Sequence, residues 1–573
     1  MAQSSRNILL FLCIISFAVV VQSEHICQMD PNITINYGVL GEPVDKRQQG
    51  GNRLRFIVHY EEGFRRHPLF QQFKNEVVQR ALNFWERTLS ARRSPNRRLL
   101  IPSGCVEGYS ALDGNTGRRF CMQQCSHAKC TDYKVPNQFT AGCFQGRDGS
   151  NLRRVTQDGP GFAPNEFVMF VDSVNKGSCR RGVTVAFASP CEMHPTTDRP
   201  IMGAINFCPQ HMSVNEPAKT KLISTATHEV AHALGFTSKC FALMRDVNGN
   251  PRTPRDPMTK KPRNGQPSEN TVRQINRPWV SAVGTFRKTF TSLVTPRVLE
   301  EGRRHFNCPN LDGIDLENEG GQGTAGTHFE KRVVGDEIMA GSTGLRGIVS
   351  RLTLAYFQDS GWWDVDYSVA ERYDYGKGLG CSFVMESCYA YMNRMKQQGR
   401  SIEPYCEESS TYMCYHRKAY GQCTAQNMNR NLPPSDQYFR GNPNKGGAAE
   451  LVDSCPIAQP ATYFFSIPIV SHCNLGMNRQ KLQGKNMYAQ DFGNNSVCIA
   501  HRGIWKAQLN RKMSKSRLVM ATCHQISCSG GLKIIVNGQP FPCQSGVARI
   551  QTNQITGEAI CPHPNEVCGR GKK

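Results

Sequence analysis

His228-Glu229-Val230-Ala231-His232-Ala233-Leu234-Gly235-Phe236 is the stretch from which the rest of the chain can be read. Two histidines four apart stand one above the other on an α-helix, so both imidazoles can reach a single cation. Glu229, about 100° around the helix from His228, stands where it can take a proton from a water held at that cation. The flanking residues predict a helix over 221–236. Ile223, Ala226, Val230, Ala233 and Leu234 form one apolar side, and Thr225, His228, Glu229, His232 and Gly235 form the other. Such a helix suits the floor of a cleft. The bland alternative, an amphipathic helix with two exposed histidines, is disfavoured by that clean apolar back. Gly235 lets the chain turn sharply out of the helix.

A catalytic zinc takes three protein ligands and keeps a fourth position open. Position 238, where a compact motif would supply the third histidine, is serine, so the remaining ligand must come from further along the chain. Upstream, residues 53–60 read as a strand, and 68–92 as a helix carrying Phe70, Phe73, Val77, Ala81, Phe84 and Trp85 at helical spacing. A cysteine-dense region (Cys105, Cys121, Cys125, Cys130, Cys143) precedes strand candidates at 166–174, 182–189 and 201–208. Downstream, 248–276 is rich in Pro, Lys, Arg and Asn and predicts an exposed insertion, its five basic residues between Arg252 and Arg263 facing only Asp256. A glycine-rich approach at 317–326 leads to Thr327-His328, and Leu352, Ala355, Tyr356 and Asp359 predict a short helix closed by Gly361. From Tyr367 onward thirteen cysteines predict a C-terminal unit held by disulfides rather than by a large core.

At 573 residues the chain is too long for one core, and 39% hydrophobic with 20% charged residues is ordinary for a globular protein. Arg6 followed by fourteen nearly unbroken apolar residues, 8–21, reads as a secretory signal, the run being short for a membrane span of about twenty. Twenty-five cysteines agree with export into an oxidising compartment. With Cys13 leaving in the signal and Cys27 set aside, an odd number remains, so at least one thiol is unpaired or intermolecular. The net charge of +23 is spread along the chain without a nucleic-acid motif; acidic glycans, anionic surfaces or a merely basic surface account for it.

The quoted stretch, together with Gly326-Thr327-His328-Phe329-Glu330, Glu337-Ile338-Met339, residues 357–363 (FQDSGWW), Gly380-Cys381 and 561–568 (CPHPNEVC), resembles the leishmanolysin family of metzincin zinc metallopeptidases, especially its invadolysin-like members. The resemblance implies one catalytic Zn²⁺ held by His228, His232 and His328, Glu229 as general base, and Met339 in a turn beneath the metal. Without it His328 is a lone loop histidine and Met339 a core filler. It implies an α+β fold: a metzincin-type catalytic domain split by a long insertion, then a disulfide-rich C-terminal domain. The expected segments are a signal peptide (1–23), a propeptide (24–50), an N-terminal catalytic subdomain (51–238), a central subdomain with the insertion, third ligand and Met-turn (239–366), and the C-terminal domain (367–573). The expected activity is endoproteolysis of extracellular protein or peptide substrates, matrix and cell-surface proteins among them. In metzincins the substrate lies along an edge strand, for which 182–189 is the candidate.

His25-Ile26-Cys27-Gln28-Met29-Asp30 resembles the family's propeptide motif, implying Cys27 as an inhibitory zinc ligand in a zymogen; Met29 departs from the family's usual histidine, and a plain disulfide at Cys27 is the alternative. Cleavage near Lys46-Arg47 would release the segment. Cys240 has no counterpart in the family's pattern, which makes it the candidate for the odd thiol. Asn32 and Asn494 head glycosylation sequons. The polar, basic end Arg570-Gly571-Lys572-Lys573 predicts neither a glycolipid anchor nor a transmembrane segment, hence a secreted protein. Two other readings remain open: an inactive adhesion or decoy protein on the same scaffold, which loss of Glu229 or a ligand would favour, and a structural-zinc protein, against which Glu229 speaks.

Overall fold

The computed structural model describes residues 35–44 and 51–568, apart from 94, 107–109, 113–118, 150, 264, 343, 410, 418, 450, 462, 466, 510 and 511. The expected signal segment, Cys27, Asn32 and the Lys46-Arg47 pair lie outside these residues. Helix and sheet are mixed in an α+β arrangement.

The N-terminal part is built on a five-stranded sheet. Its strands are β1 (Asn36–Tyr37), β2 (Arg55–Tyr60), β3 (Glu166–Asp172), β4 (Ala186–Met193) and β5 (Pro200–Phe207), in the order β1-β4-β5-β3-β2. β5 pairs in parallel with β3 and β3 with β2, while β4 runs antiparallel to β5. The strands β3 and β5, paired along most of their length on both sides, are almost continuously apolar because both sheet faces are covered. Phe167, Met169 and Val171 face the main core; Val168 and Phe170 alternate onto a smaller one with Leu99, Ile101, Phe139 and Phe162. β4 begins at Ala186 rather than 182, because residues 177–181 form a 3₁₀ turn ended by Gly182 at φ +76°. Only Glu192 and Met193 of β4 pair with β1, so among the described residues the outer side of Ala186–Pro190 has no strand beside it. Pro190, beside a register shift, suits such an edge.

The helical run expected over 68–92 comes in three pieces, Phe70–Phe73, a π turn at Lys74–Val78, and α1 (Gln79–Thr88). The Trp85 indole N–H donates to the Thr227 carbonyl at 2.9 Å, fastening α1 to α2 (Ala218–Ala233). Residues 248–270 are largely exposed, as expected, but two of their basic side chains depart from this. Arg252 and Arg255 turn inward to Asp359 and Asp198, since two long basic side chains can bury their stems only where carboxylates meet them. The residues after 271 form a hairpin of β6 (Val272–Val280) and β7 (Thr285–Leu293), followed by α3 (Pro296–Phe306) and α4 (Arg351–Asp359).

Eleven disulfides join the described cysteines, and Cys240 alone of these is free, buried in the main core. That core runs from Leu54 to Ile457 and takes in Phe383, Tyr391 and Tyr405. Beyond it, the C-terminal region does have a core of its own, from Tyr412 to Ala559, around an antiparallel sheet centred on β8 (Ser496–Leu509). The sequence hides this core because its apolar residues arrive singly at a period of two.

Asp453 stitches three parts of the chain together. It accepts from Arg332 Nε at 3.1 Å, Lys288 Nζ at 2.5 Å and Asn318 Nδ2 at 3.2 Å, and its backbone N–H donates to Glu319. Burial pushes its pKa up, but the two cations outweigh burial and hold it below the ordinary value. Arg332 and Asp453 are both almost wholly buried, so removing one partner strands the other's charge. Asp453→Ala is expected to lower stability by about 3 kcal/mol in chemical denaturation; a loss below about 1 kcal/mol would mean the pair is solvated.

Candidate active site

The helix α2 presents its apolar back, Ala226, Val230 and Ala233, to the main core, and carries His228, Glu229 and His232 into the buried floor of the site. It ends at Ala233, three residues before the end expected from the sequence, because Gly235 turns the chain out of the helix. The Gly235 N–H donates to the His232 carbonyl and the Phe236 N–H to the Ala231 carbonyl, a Schellman closure with Gly235 at φ +115°. A Cβ at 235 would stand 2.7 Å from the Trp362 ring. This closure has a chemical consequence: it aims the Phe236 carbonyl back at His232, whose Nδ1 lies 2.5 Å away.

The third histidine arrives on the loop between Glu317 and Glu330. The Gly326 N–H donates to the Glu317 carbonyl, the Glu317 N–H to the His328 carbonyl, and the Phe329 N–H to the Met339 carbonyl. His328 Nδ1 is 3.0 Å from the Thr324 carbonyl, and His228 Nδ1 is 2.5 Å from the Ile338 carbonyl. A carbonyl can only accept, so each Nδ1 carries the proton and each Nε2 keeps its lone pair. Those three Nε2 atoms converge: His232 to His228 2.9 Å, His232 to His328 3.0 Å, His328 to His228 3.2 Å.

Three lone pairs at this separation repel unless a cation lies between them. Tetrahedral ligands at ~2.0–2.1 Å from zinc would stand about 3.4 Å apart, so the donor set fits zinc with little adjustment. All three rings are fully buried, and burial lowers their pKa values, His228 to about 4 and His328 to about 3; His232 is also pushed well down, by burial and then by its two neighbours. Neutral imidazole is the form a metal requires.

Met339 is buried in the turn 337–340, whose backbone serves two of the histidine-bearing elements: the Ile338 carbonyl receives His228, and the Met339 carbonyl receives the residue after His328. Sequence reasoning gave no role to Glu337, which fixes this turn. Its carboxylate accepts from Met339 N at 2.6 Å, Ser350 Oγ at 2.7 Å and Thr353 Oγ1 at 2.6 Å. Burial raises its pKa and these donors oppose the rise. Thr324 and Ile338 were missed as well, because they act through carbonyls that no side chain advertises. Glu229 is buried beside His228. Asn494 lies in an exposed turn before β8, and no helix among the described residues is long and apolar enough to cross a membrane.

A sequence profile of the leishmanolysin family matches residues 154–573. The leishmanolysin-like peptidase of Drosophila pseudoobscura pseudoobscura is 34% identical over 90% of this chain and 80% of its own length, and that of Drosophila melanogaster 33% over the same shares. Leishmanolysin of Leishmania donovani is 28% identical over 52% of this chain and 44% of its own.

Because folded His228 and His328 bind protons only near pH 4 and 3 whereas the unfolded chain does so near 6.5, the unfolded state takes up more protons as pH falls between these values. The metal-free protein is therefore expected to hold its full histidine contribution above pH 6.5 and lose it progressively towards about pH 4. Urea midpoints of chelator-treated wild type and His328→Asn check this; identical pH slopes would contradict it.

Proposed function

Because the chain belongs to the leishmanolysin family of metallopeptidases, we propose that it is a secreted zinc endopeptidase, made as a zymogen, with His228, His232 and His328 as the metal ligands. The observation that carries this reading is the convergence of three buried Nε2 atoms within 3.2 Å of one another. When bound, zinc supplies a Lewis acid that polarises a carbonyl and lowers the pKa of water at an open fourth position.

The chain's own residues do the rest. Glu229 takes the proton from the attacking water and delivers it to the leaving amine. The free side of β4, Ala186–Pro190, offers backbone donors and acceptors to an extended substrate laid antiparallel to it. Glu337 holds the Ile338 carbonyl, and through it the His228 ring, so the ligand orientation is set before any substrate arrives. Met339 fills the floor of the same turn.

The chain's division follows: a signal over 1–23, a pro-segment over 24–50 with Cys27 as its metal-blocking thiolate, a catalytic region over 51–366 interrupted by the insertion, and a C-terminal domain over 367–573. Residues 36–43 are strands of the fold, pairing with β4 and with Arg97–Leu100. A cut near Lys46-Arg47 therefore severs the chain without itself freeing Cys27; the two strands must also peel away. Substrates are proteins or peptides, with matrix and cell-surface proteins the class that export makes accessible. Asn32 and Asn494 are the proposed glycan acceptors.

Glu229→Gln removes the base while leaving the three histidines in place. The variant is expected to bind zinc as wild type does and to lose about 100-fold or more in kcat on a peptide substrate. Wild-type turnover by this variant would overturn the assignment of the base.

A further inference from the structure

Lys221 sits on α2 in one row with the proposed catalytic base: Lys221, Thr225 and Glu229 are four residues apart each, and so share a face of the helix. The row is continuous, since Thr225 Oγ1 donates to the Lys221 carbonyl at 3.1 Å. Eight residues of helix place Lys221 about 12 Å from Glu229 along the axis.

The direction in which this face points is fixed by its neighbours. Lys219, on the opposite side of the helix, reaches back to Glu76 at 3.0 Å and Glu216 at 3.8 Å, so α1 and the π turn before it lie on that side. On the other side, the Ser224 hydroxyl accepts the Gly347 N–H at 2.7 Å, which lays residues 346–348 along α2 just before His228. Lys221 is thus on the face of the helix that carries His228 and His232, about one turn before Ser224. It is half-buried, and its amine makes no ion pair or hydrogen bond among the described residues, unlike Lys219. Burial lowers its pKa to about 8, so it still holds its proton at neutral pH. A second cation, Arg346, stands on the segment laid against the same turn, but its charge is met by Glu371.

A desolvated, unpaired ammonium in line with the catalytic groups lacks its counter-ion in the free enzyme. We propose that Lys221 is a specificity-determining residue, the cationic wall of a subsite that takes a carboxylate of the substrate. Resting on the peptidase reading above, this names a substrate class: peptides with an acidic residue, or their own C-terminus, a short distance from the cleaved bond. An extended chain advances about 3.4 Å per residue, so 12 Å corresponds to about three positions.

The test is a proteome-derived peptide library digested with zinc-loaded, processed wild type, Lys221→Met and Lys221→Glu, with cut sites read by mass spectrometry. Wild type is expected to enrich Asp and Glu at one position about three residues from the cut. For a matched peptide pair, acidic against neutral there, the ratio of kcat/KM should be about 10 in wild type, close to 1 in Lys221→Met, and reversed in favour of lysine in Lys221→Glu. Synthetic peptides with free and amidated ends separate the two sources: preference that survives amidation comes from a side chain, preference lost with it from the C-terminus. The reversal in Lys221→Glu requires a folded, active enzyme, so it cannot arise from damage. An unchanged acidic preference in both variants, or none in wild type, overturns the Lys221 assignment. A wild type that cleaves nothing overturns the peptidase reading beneath it.

Discussion

Three imidazoles face one point because three backbone carbonyls stand behind them. The carbonyls of Ile338, Phe236 and Thr324 each receive an Nδ1–H and so hold an Nε2 lone pair forward. Each depends on a different local device. Phe236 is aimed by the glycine closure of α2, Thr324 by the glycine-rich loop that folds back on Glu317, and Ile338 by a turn pinned to the buried carboxylate of Glu337. The rings are buried and neutral, which leaves them able to bind a divalent cation without first shedding protons.

The wider fold serves to keep those devices in register. The back of α2 rests on the sheet, and the Trp85 indole ties it to α1. The His328 loop is held on its far side by Asp453, which gathers Lys288 from the hairpin, Asn318 from the loop and Arg332 from the turn that follows it. Disulfides Cys308–Cys381 and Cys388–Cys455 fasten that neighbourhood covalently. The long stretch between the second and third histidines contains a β-hairpin that pairs within itself, and loop length is inexpensive in entropy.

How much of this could be read from sequence varies with how the information is encoded. Side-chain periodicity gave α2 within three residues at each end, and the apolar runs gave β3 and β5. Odd cysteine arithmetic called for one unpaired thiol and the family resemblance singled out Cys240, which is the free one among the described cysteines. His328 was legible only through resemblance, because a histidine supplied by a loop has no spacing rule to betray its place in a cluster. Glu337, Thr324 and Ile338 were not legible at all. Backbone carbonyls have no residue signature, and a buried glutamate looks in sequence like any surface acid. The inward turn of Arg252 and Arg255 was misread for a related reason: their partners, Asp359 and Asp198, lie about fifty to a hundred positions away.

The claim on which all of this rests is that the three rings share one ion. Elemental analysis of extensively dialysed protein, wild type beside His328→Ala, measures it directly. One zinc per chain in wild type and almost none in the variant is the predicted result. Full zinc retention without residue 328, or a wild type that binds none when zinc is supplied, would contradict the account.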